Sequence, residues 1–186
     1  MKKSFKKNKY YKTKQIIARV DKNGKILGPI EKWEAHRKGI LHRALTIALV
    51  YKNSFVIQHR KHPAFDGVFD ITSSSHQLFE NGKLQDTLEA SFATLKREWN
   101  ITKKDLIGNP KNLGFVYYKA KDSKSEFTEH EICDILIVKV KKIPTPNLDF
   151  AYGFSLVKRE ELSDKNSRIY QNLAPWVIKT IEEKLI

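Results

Sequence analysis

Glu129-His130-Glu131-Ile132-Cys133-Asp134-Ile135-Leu136-Ile137-Val138 reads as a β-strand, because β-branched and aliphatic residues dominate its second half. Side chains two apart on a strand point to one face, so Glu129 and Glu131 project together. Two carboxylates on one face repel each other unless a cation or a shared proton lies between them. Three histidines upstream, His36, His42 and His76, are the residue type that completes a cation site. Taken alone, the stretch is a polar strand end with two solvated glutamates. The residues around it change that reading.

Composition sets the frame. A chain of 186 residues is long enough for one domain with a real core. No apolar run reaches the length of a membrane span, and the first residues lack the apolar centre of a secretory leader. One cysteine, Cys133, rules out an internal disulfide and fits a reducing, cytoplasmic setting. In an apolar strand it reads as a small buried hydrophobe rather than a nucleophile. The formal charge is +14, and seven lysines between Lys2 and Lys14 supply half of it. Such a run suits nucleic acid or acidic lipid. No nucleic-acid motif follows it, so residues 1–14 are expected to be a flexible basic extension to a single domain over 15–186. The remaining positive charge suits a pocket for an anionic small molecule. Whether the chain is a monomer or a homodimer is left open.

Along the chain, Gln15–Val20 is a strand followed by the Asn23-Gly24 hairpin signal. Ala44–Tyr51 and Ser54–His59 form a second hairpin around Lys52-Asn53. Arg60–Pro63 opens a loop, Thr72–His76 is a turn of small residues, and Gln77–Gln85 is loop. The clearest helix spans 86–99. Leu88, Phe92, Leu95 and Trp99 fall on one face, Asp86 is the N-cap, and Asn100 takes the left-handed end. Leu113–Tyr118 and Phe154–Val157 are strands, Arg159–Leu162 starts a short helix, and Pro175–Leu185 is a C-terminal helix. Strands and helices without regular alternation give an α+β layered domain.

Several patches occur in one order: Ala35-His36, Leu41-His42-Arg43-Ala44, Val56-Ile57-Gln58-His59-Arg60, Ser74-Ser75-His76, Leu95-Lys96-Arg97-Glu98-Trp99, Tyr117-Tyr118, Glu129-His130-Glu131-Ile132 and Ala174-Pro175-Trp176. Together they resemble the type 1 isopentenyl-diphosphate isomerases, a branch of the Nudix superfamily, from about Arg19 to the C-terminus. The resemblance implies a Nudix fold, a mixed β-sheet sandwiched between α-helices, with residues 86–99 as the Nudix helix. It implies one divalent metal held by His36, His42, His76, Glu129 and Glu131. Imidazole and carboxylate ligands suit an ion of the zinc, manganese or iron class. It assigns Glu98 to a Mg²⁺ on the substrate diphosphate, which is a sensible oxygen-ligand role. Lys32 and Arg60 become diphosphate-binding cations, and Lys61 or His62 stands in for a further one. Glu131 and Tyr118 become proton carriers, and the Trp176 ring faces a carbocation.

Two departures matter. The family's catalytic cysteine position holds Ser74, whose hydroxyl is a far poorer proton carrier than a thiol. Taken alone, this argues against efficient isomerisation. On the helix, Ala93, Thr94 and Asn100 replace most of the hydrolase motif, leaving Glu98 as its metal-binding glutamate; the arginines expected at positions 93 and 94 are also missing. Three readings follow: an isomerase-like enzyme acting on an allylic or homoallylic diphosphate, a Nudix hydrolase with a remodelled metal set, and an inactive diphosphate-binding protein.

Overall fold

The computed structural model describes residues 8–186. Lys2, Lys3, Lys6 and Lys7 of the basic stretch lie outside the described residues. The stretch was expected to run as a flexible extension to residue 14, yet it is folded from Asn8 onward. Helix α1 (Lys9–Lys12) is capped by Asn8, whose side chain accepts from the Tyr10 amide, and it buries Tyr11. The Tyr11 ring packs edge-on against Phe150 and His62, and its carbonyl accepts from Trp33 Nε1 at 3.1 Å. Burying one aromatic side chain contributes on the order of 2 kcal/mol, enough to hold a short segment down. Lysine content concealed this aromatic pair.

The central strand is β3 (His42–Tyr51), which explains why its sequence is almost wholly apolar. It pairs in parallel with β10 (Thr128–Val140) and antiparallel with β4 (Ser54–Arg60), β1 (Ile16–Val20) and β6 (Ser73–Ser75). β1 continues to β2 (Ile26–Glu31), β10 pairs with β9 (Leu106–Lys121), and β4 pairs with β5 (Phe69–Asp70) and β11 (Ala151–Lys158). The sheet is therefore mixed, as expected. The small-residue stretch at 72–76 is a strand rather than a turn, because Ser73–Ser75 finds an edge on β3. The loop at 77–85 contains a small hairpin, β7 (Phe79–Glu80) with β8 (Lys83–Leu84).

Helices cover both faces. On one face, α3 (Thr87–Trp99) packs Leu95 and Trp99 against Leu45, Ile47, Leu49, Val56, Leu136 and Val138. Asp86 and Glu89 form a reciprocal capping box, and Asn100 ends the helix at φ 52°. The buried stripe differs from the expected one. Leu88 is 41% exposed and Phe92 half-buried, while Ala90, Ser91, Thr94, Leu95, Glu98 and Trp99 are buried. Small residues at 90, 91 and 94 let the helix lie close to β6, which turns Leu88 and Phe92 outward while Leu95 and Trp99 stay buried. On the other face, α6 (Pro175–Glu182) packs Trp176 and Val177 against Ala44, Ala48, Val116, Tyr118, Cys133 and Ile135. Two shorter helices, α4 (Arg159–Ser163) and α5 (Arg168–Gln171), lead into it.

Alternation along the strands decides what meets on the α6 face. Parallel register sets Glu131 beside His42 and Cys133 beside Ala44, while antiparallel register sets Ser74 opposite Thr46 and Tyr118 opposite Glu131. His42, Thr46, Ser74, Tyr118, Glu131 and Cys133 therefore share one face. Ser73, one residue earlier, belongs to the α3 face.

A buried cluster of histidines and glutamates with an adjoining cation pocket

The segment from Lys32 to His42, which holds three of the expected site residues, carries helix α2 (Lys32–Lys38). It ends at Gly39, in the left-handed conformation at φ 60°, so the chain doubles back and brings His36 beside His42. A side chain at Gly39 would also press on Thr128 of β10 at 3.4 Å.

His36 Nδ1 lies 2.6 Å from the Lys32 carbonyl, and His42 Nδ1 lies 2.7 Å from the Ile40 carbonyl. A carbonyl only accepts, so each Nδ1 carries the hydrogen and each neutral ring turns a bare Nε2 lone pair outward. Those lone pairs point at carboxylates. His36 Nε2 is 3.1 Å from Glu129 Oε2, and His42 Nε2 is 3.3 Å from Glu131 Oε1. His76 Nε2 reaches the same Glu131 oxygen at 3.1 Å. His36 Nε2, His42 Nε2 and Glu129 Oε2 are buried without a hydrogen-bond partner among the described residues. One ligand atom from each of His36, His42, His76, Glu129 and Glu131 lies within 4.8 Å of all the others.

Acceptors facing acceptors in a buried site require a positive charge between them. A proton is one answer. Burial opposes charging His42, but the hydrogen bond and charge of Glu131, then the charge of Glu129, raise its pKa. Burial, followed by the charges of Lys32, His42 and His36, holds His76 well below the usual range and keeps it a neutral ligand. A divalent ion is the fuller answer, because it meets all five lone pairs at once. The orphaned atoms and mixed N/O donors fit such an ion.

Glu131 is the hinge of the site. Its Oε2 accepts a short hydrogen bond from the Tyr118 hydroxyl. Burial raises its carboxyl, but the hydrogen bond and charge of His42, then the hydrogen bond from Tyr118, hold it down to about 2. Beside it, Ser74 and Trp176 converge on a residue that the sequence reading missed, Asp70. Asp70 Oδ1 accepts from Ser74 Oγ at 3.0 Å and from Trp176 Nε1 at 2.8 Å, while Oδ2 pairs with Arg60 Nη1 at 3.2 Å. One fully buried carboxylate thus orients three expected site residues. An acidic residue inside an otherwise apolar Phe69–Ile71 stretch was its only sequence signal. Cys133 lies behind the site, with Sγ 3.3 Å from Thr46 Oγ1, itself 2.8 Å from Ser74 Oγ. Burial, then the charge of Glu131, raises its thiol well above the usual range.

A cavity of about 20 Å³ is lined by Ser74, Ser75, His76, Tyr118, Glu129, Glu131 and Trp176, together with the cations Lys32 and Arg60 and the imidazole His62. Lys32 is 3% exposed, and its Nζ has only Gln15 Oε1, at 3.4 Å, as a hydrogen-bond partner among the described residues. Burial, then the charge of Arg97, lowers Lys32 to about 8. Lys61 does not join the cavity. Its ammonium donates outward to the Leu148 carbonyl at 2.7 Å and lies over Tyr152, so the inward residue of that loop is His62. Glu98 also stands apart from the five-ligand cluster, because it meets Ser73 on the α3 face of β6.

No model of a known family matches the chain. It is 30% identical over 158 residues to the isopentenyl-diphosphate Delta-isomerase of Aliivibrio fischeri (strain ATCC 700601 / ES114), covering 81% of this chain and 77% of that one. The chain belongs to the isopentenyl-diphosphate isomerase family. A human relative, isopentenyl-diphosphate delta-isomerase 2, is 27% identical over 190 residues, covering 92% of this chain and 82% of that protein. The fold of this isomerase-family chain is the Nudix fold. DR0079 from Deinococcus radiodurans superposes at a TM-score of 0.60 with 16% identity, covering 92% of this chain and 97% of that one. A MutT Nudix hydrolase from Burkholderia pseudomallei gives 0.55 with 13% identity, over 78% of this chain and 98% of that one. The chain is thus an isomerase-family enzyme with the Nudix fold, and among its described residues no helix is long and apolar enough to cross a membrane.

Proposed function

We propose that the protein moves a carbon–carbon double bond in an isopentenyl-type diphosphate by protonating one carbon and deprotonating another. The observation that carries this reading is the placement of Glu131 and Ser74. They stand on β10 and β6, the strands flanking β3 on either side, and line one cavity from the same sheet face. An alkene lying between them meets a proton carrier on each side.

The Glu131–Tyr118 pair is the proton donor side. The proton in this pair is that of the Tyr118 hydroxyl, which donates to Glu131. Tyr118 gives it to the alkene and is left as a phenolate, which regains a proton from solvent before the next turnover; burial and then the Glu131 charge raise its pKa well above the usual range, so that recapture is favoured. Protonation leaves a tertiary carbocation, and the buried Trp176 ring beside Tyr118, at a centroid distance of 5.9 Å, supplies an electron-rich face for it. On the other side, Ser74 Oγ takes a proton from the neighbouring carbon and passes its own to Asp70. Burial, as the largest cause, raises the Asp70 carboxyl and suits it to hold that proton. A divalent ion held by His36, His42, His76, Glu129 and Glu131 would supply the positive charge that fixes both carboxylates. Lys32, Arg60 and His62 face the diphosphate. A cavity with room for about one water must open to admit it.

The test is proton and phosphorus NMR of isopentenyl diphosphate with metal-loaded protein in heavy water. Deuterium entering dimethylallyl diphosphate supports the reading. Release of phosphate without isomerisation would replace it with diphosphate hydrolysis. Ser74→Cys is expected to raise the isomerisation rate by roughly tenfold or more, because a thiol is the better proton carrier.

A further inference from the structure

Glu98 is surrounded differently from the glutamates of the five-ligand cluster. Its Oε1 accepts from Arg97 Nη2 at 2.8 Å, and its Oε2 accepts from Ser73 Oγ at 2.8 Å and Gln58 Nε2 at 3.4 Å. Neither oxygen is orphaned. Among the described residues, the one group of three or more ligating side chains is the His/Glu cluster, and Glu98 is not part of it. Magnesium is held through oxygen ligands and keeps several waters. A carboxylate already neutralised by a guanidinium and bonded on both oxygens does not fit that ion.

Arg97 has the opposite balance. It is largely buried, with its guanidinium 4.2 Å from the Tyr10 ring and 5.8 Å from the Phe150 ring. Its Nε is buried without a hydrogen-bond partner among the described residues. Nη2 also reaches Ser75 Oγ at 3.2 Å and Thr94 Oγ1 at 3.3 Å. Ser75 lines the cavity with Lys32 and Arg60, and Lys32 shares the Tyr10 ring with Arg97 at 5.6 Å. Two buried cations, Lys32 and Arg60, therefore line the cavity, and a third, the part-buried Arg97, reaches its wall through Ser75. Asp70 and Glu98 neutralise two of them, while Lys32 has no carboxylate within salt-bridge distance among the described residues. The arginines expected at positions 93 and 94 are absent, and Arg97 lies one turn beyond, touching Thr94.

We propose that Arg97 takes the place of the magnesium ion on the diphosphate, with Glu98 anchoring its guanidinium instead of a metal. Arg97, Lys32 and Arg60 then supply the positive charge that a diphosphate needs, Arg97 through a fork of N–H donors matched to phosphate oxygens. The inference rests on the diphosphate reading above, and it makes substrate binding independent of magnesium.

Calorimetric titration of inorganic pyrophosphate into the protein, loaded at its His/Glu cluster, with and without excess Mg²⁺, tests this. The expected result is binding without magnesium that magnesium does not tighten, weakened roughly tenfold or more in Arg97→Ala. Arg97→Lys, which keeps the charge and loses the fork, falls between. Binding that tightens tenfold or more with Mg²⁺ in the unaltered protein would overturn the inference and leave the diphosphate reading standing. That comparison needs no variant and holds even where Arg97→Ala does not fold. No pyrophosphate binding under either condition would overturn both.

Discussion

At the His36–Glu129 contact, two atoms that each lack a hydrogen face one another at 3.1 Å; at the Arg97–Glu98 contact, 2.8 Å separates a donor from an acceptor. Both glutamates are buried, and their burial alone would make them look alike. They differ in what their neighbours leave undone. Around Glu129 and Glu131, backbone carbonyls take the Nδ1 hydrogens of His36 and His42, so their Nε2 atoms meet the carboxylates only through an added proton or metal ion. Around Glu98, serine, glutamine and arginine supply every hydrogen the carboxylate needs. One region gathers five ligand atoms that could hold a metal, and the other has already received a guanidinium.

The largest effect that sharpens this contrast is expected at Glu131. Glu131→Gln should lower isomerisation by about 10²–10⁴-fold, since it removes a proton carrier and a metal ligand together. A rate within about twofold of the unaltered enzyme would remove Glu131 from the chemistry. Glu98→Gln should instead cost roughly 1–3 kcal/mol in denaturant unfolding by taking the charged partner from the part-buried Arg97, while bound-metal content stays the same. Loss of metal in that variant would merge the two regions into one site.

Glu129→Gln separates them by sign. In metal-free protein it should stabilise the fold by about 1 kcal/mol, because one of two crowded carboxylates loses its charge. In metal-loaded protein it should destabilise, because a ligand is lost. Thermal unfolding with and without chelator reads both, and destabilisation in both states would show that the cluster is already satisfied without an ion.

A smaller effect follows from Lys32. Its ammonium is lowered to about 8 by burial and then by Arg97. Pyrophosphate affinity should therefore be flat below that pH and fall by up to tenfold per pH unit above it, as the charge that receives the anion is lost. Stability moves the other way. The unfolded chain holds this proton until about pH 10.4, so stability rises between about pH 8 and that value as the buried charge is relieved. An affinity that stays flat through pH 9 would take Lys32 out of the anion site. Lys61→Ala should change affinity by less than about twofold, since that ammonium points outward.

What was legible in the sequence was local. Alternation in Glu129–Val138 put both glutamates on one face, and Asp86 and Asn100 marked the ends of α3; the reciprocal bond from Glu89 emerged only in the structure. The three histidines entered as a ligand-type residue and through the family resemblance, and the fold brought them together with the glutamates. What stayed hidden depends on tertiary position. Nothing local says that Asp70 will meet Ser74, Trp176 and Arg60, or that Lys61 will turn to the Leu148 carbonyl while His62 turns inward. Arg97 was visible only as the neighbour of Glu98. Charge counting made residues 8–14 look like a solvated extension, although Tyr10 and Tyr11 seat them against Trp33, His62 and Phe150.

Elemental analysis of the purified protein after dialysis against excess Mg²⁺, beside its Glu98→Gln and His36→Ala variants, tests the central contrast most directly. One equivalent of a zinc, manganese or iron class ion in the unaltered protein and in Glu98→Gln, lost in His36→Ala, is the predicted result. A protein that retains no such ion, even after loading with Zn²⁺ or Mn²⁺, would contradict the account.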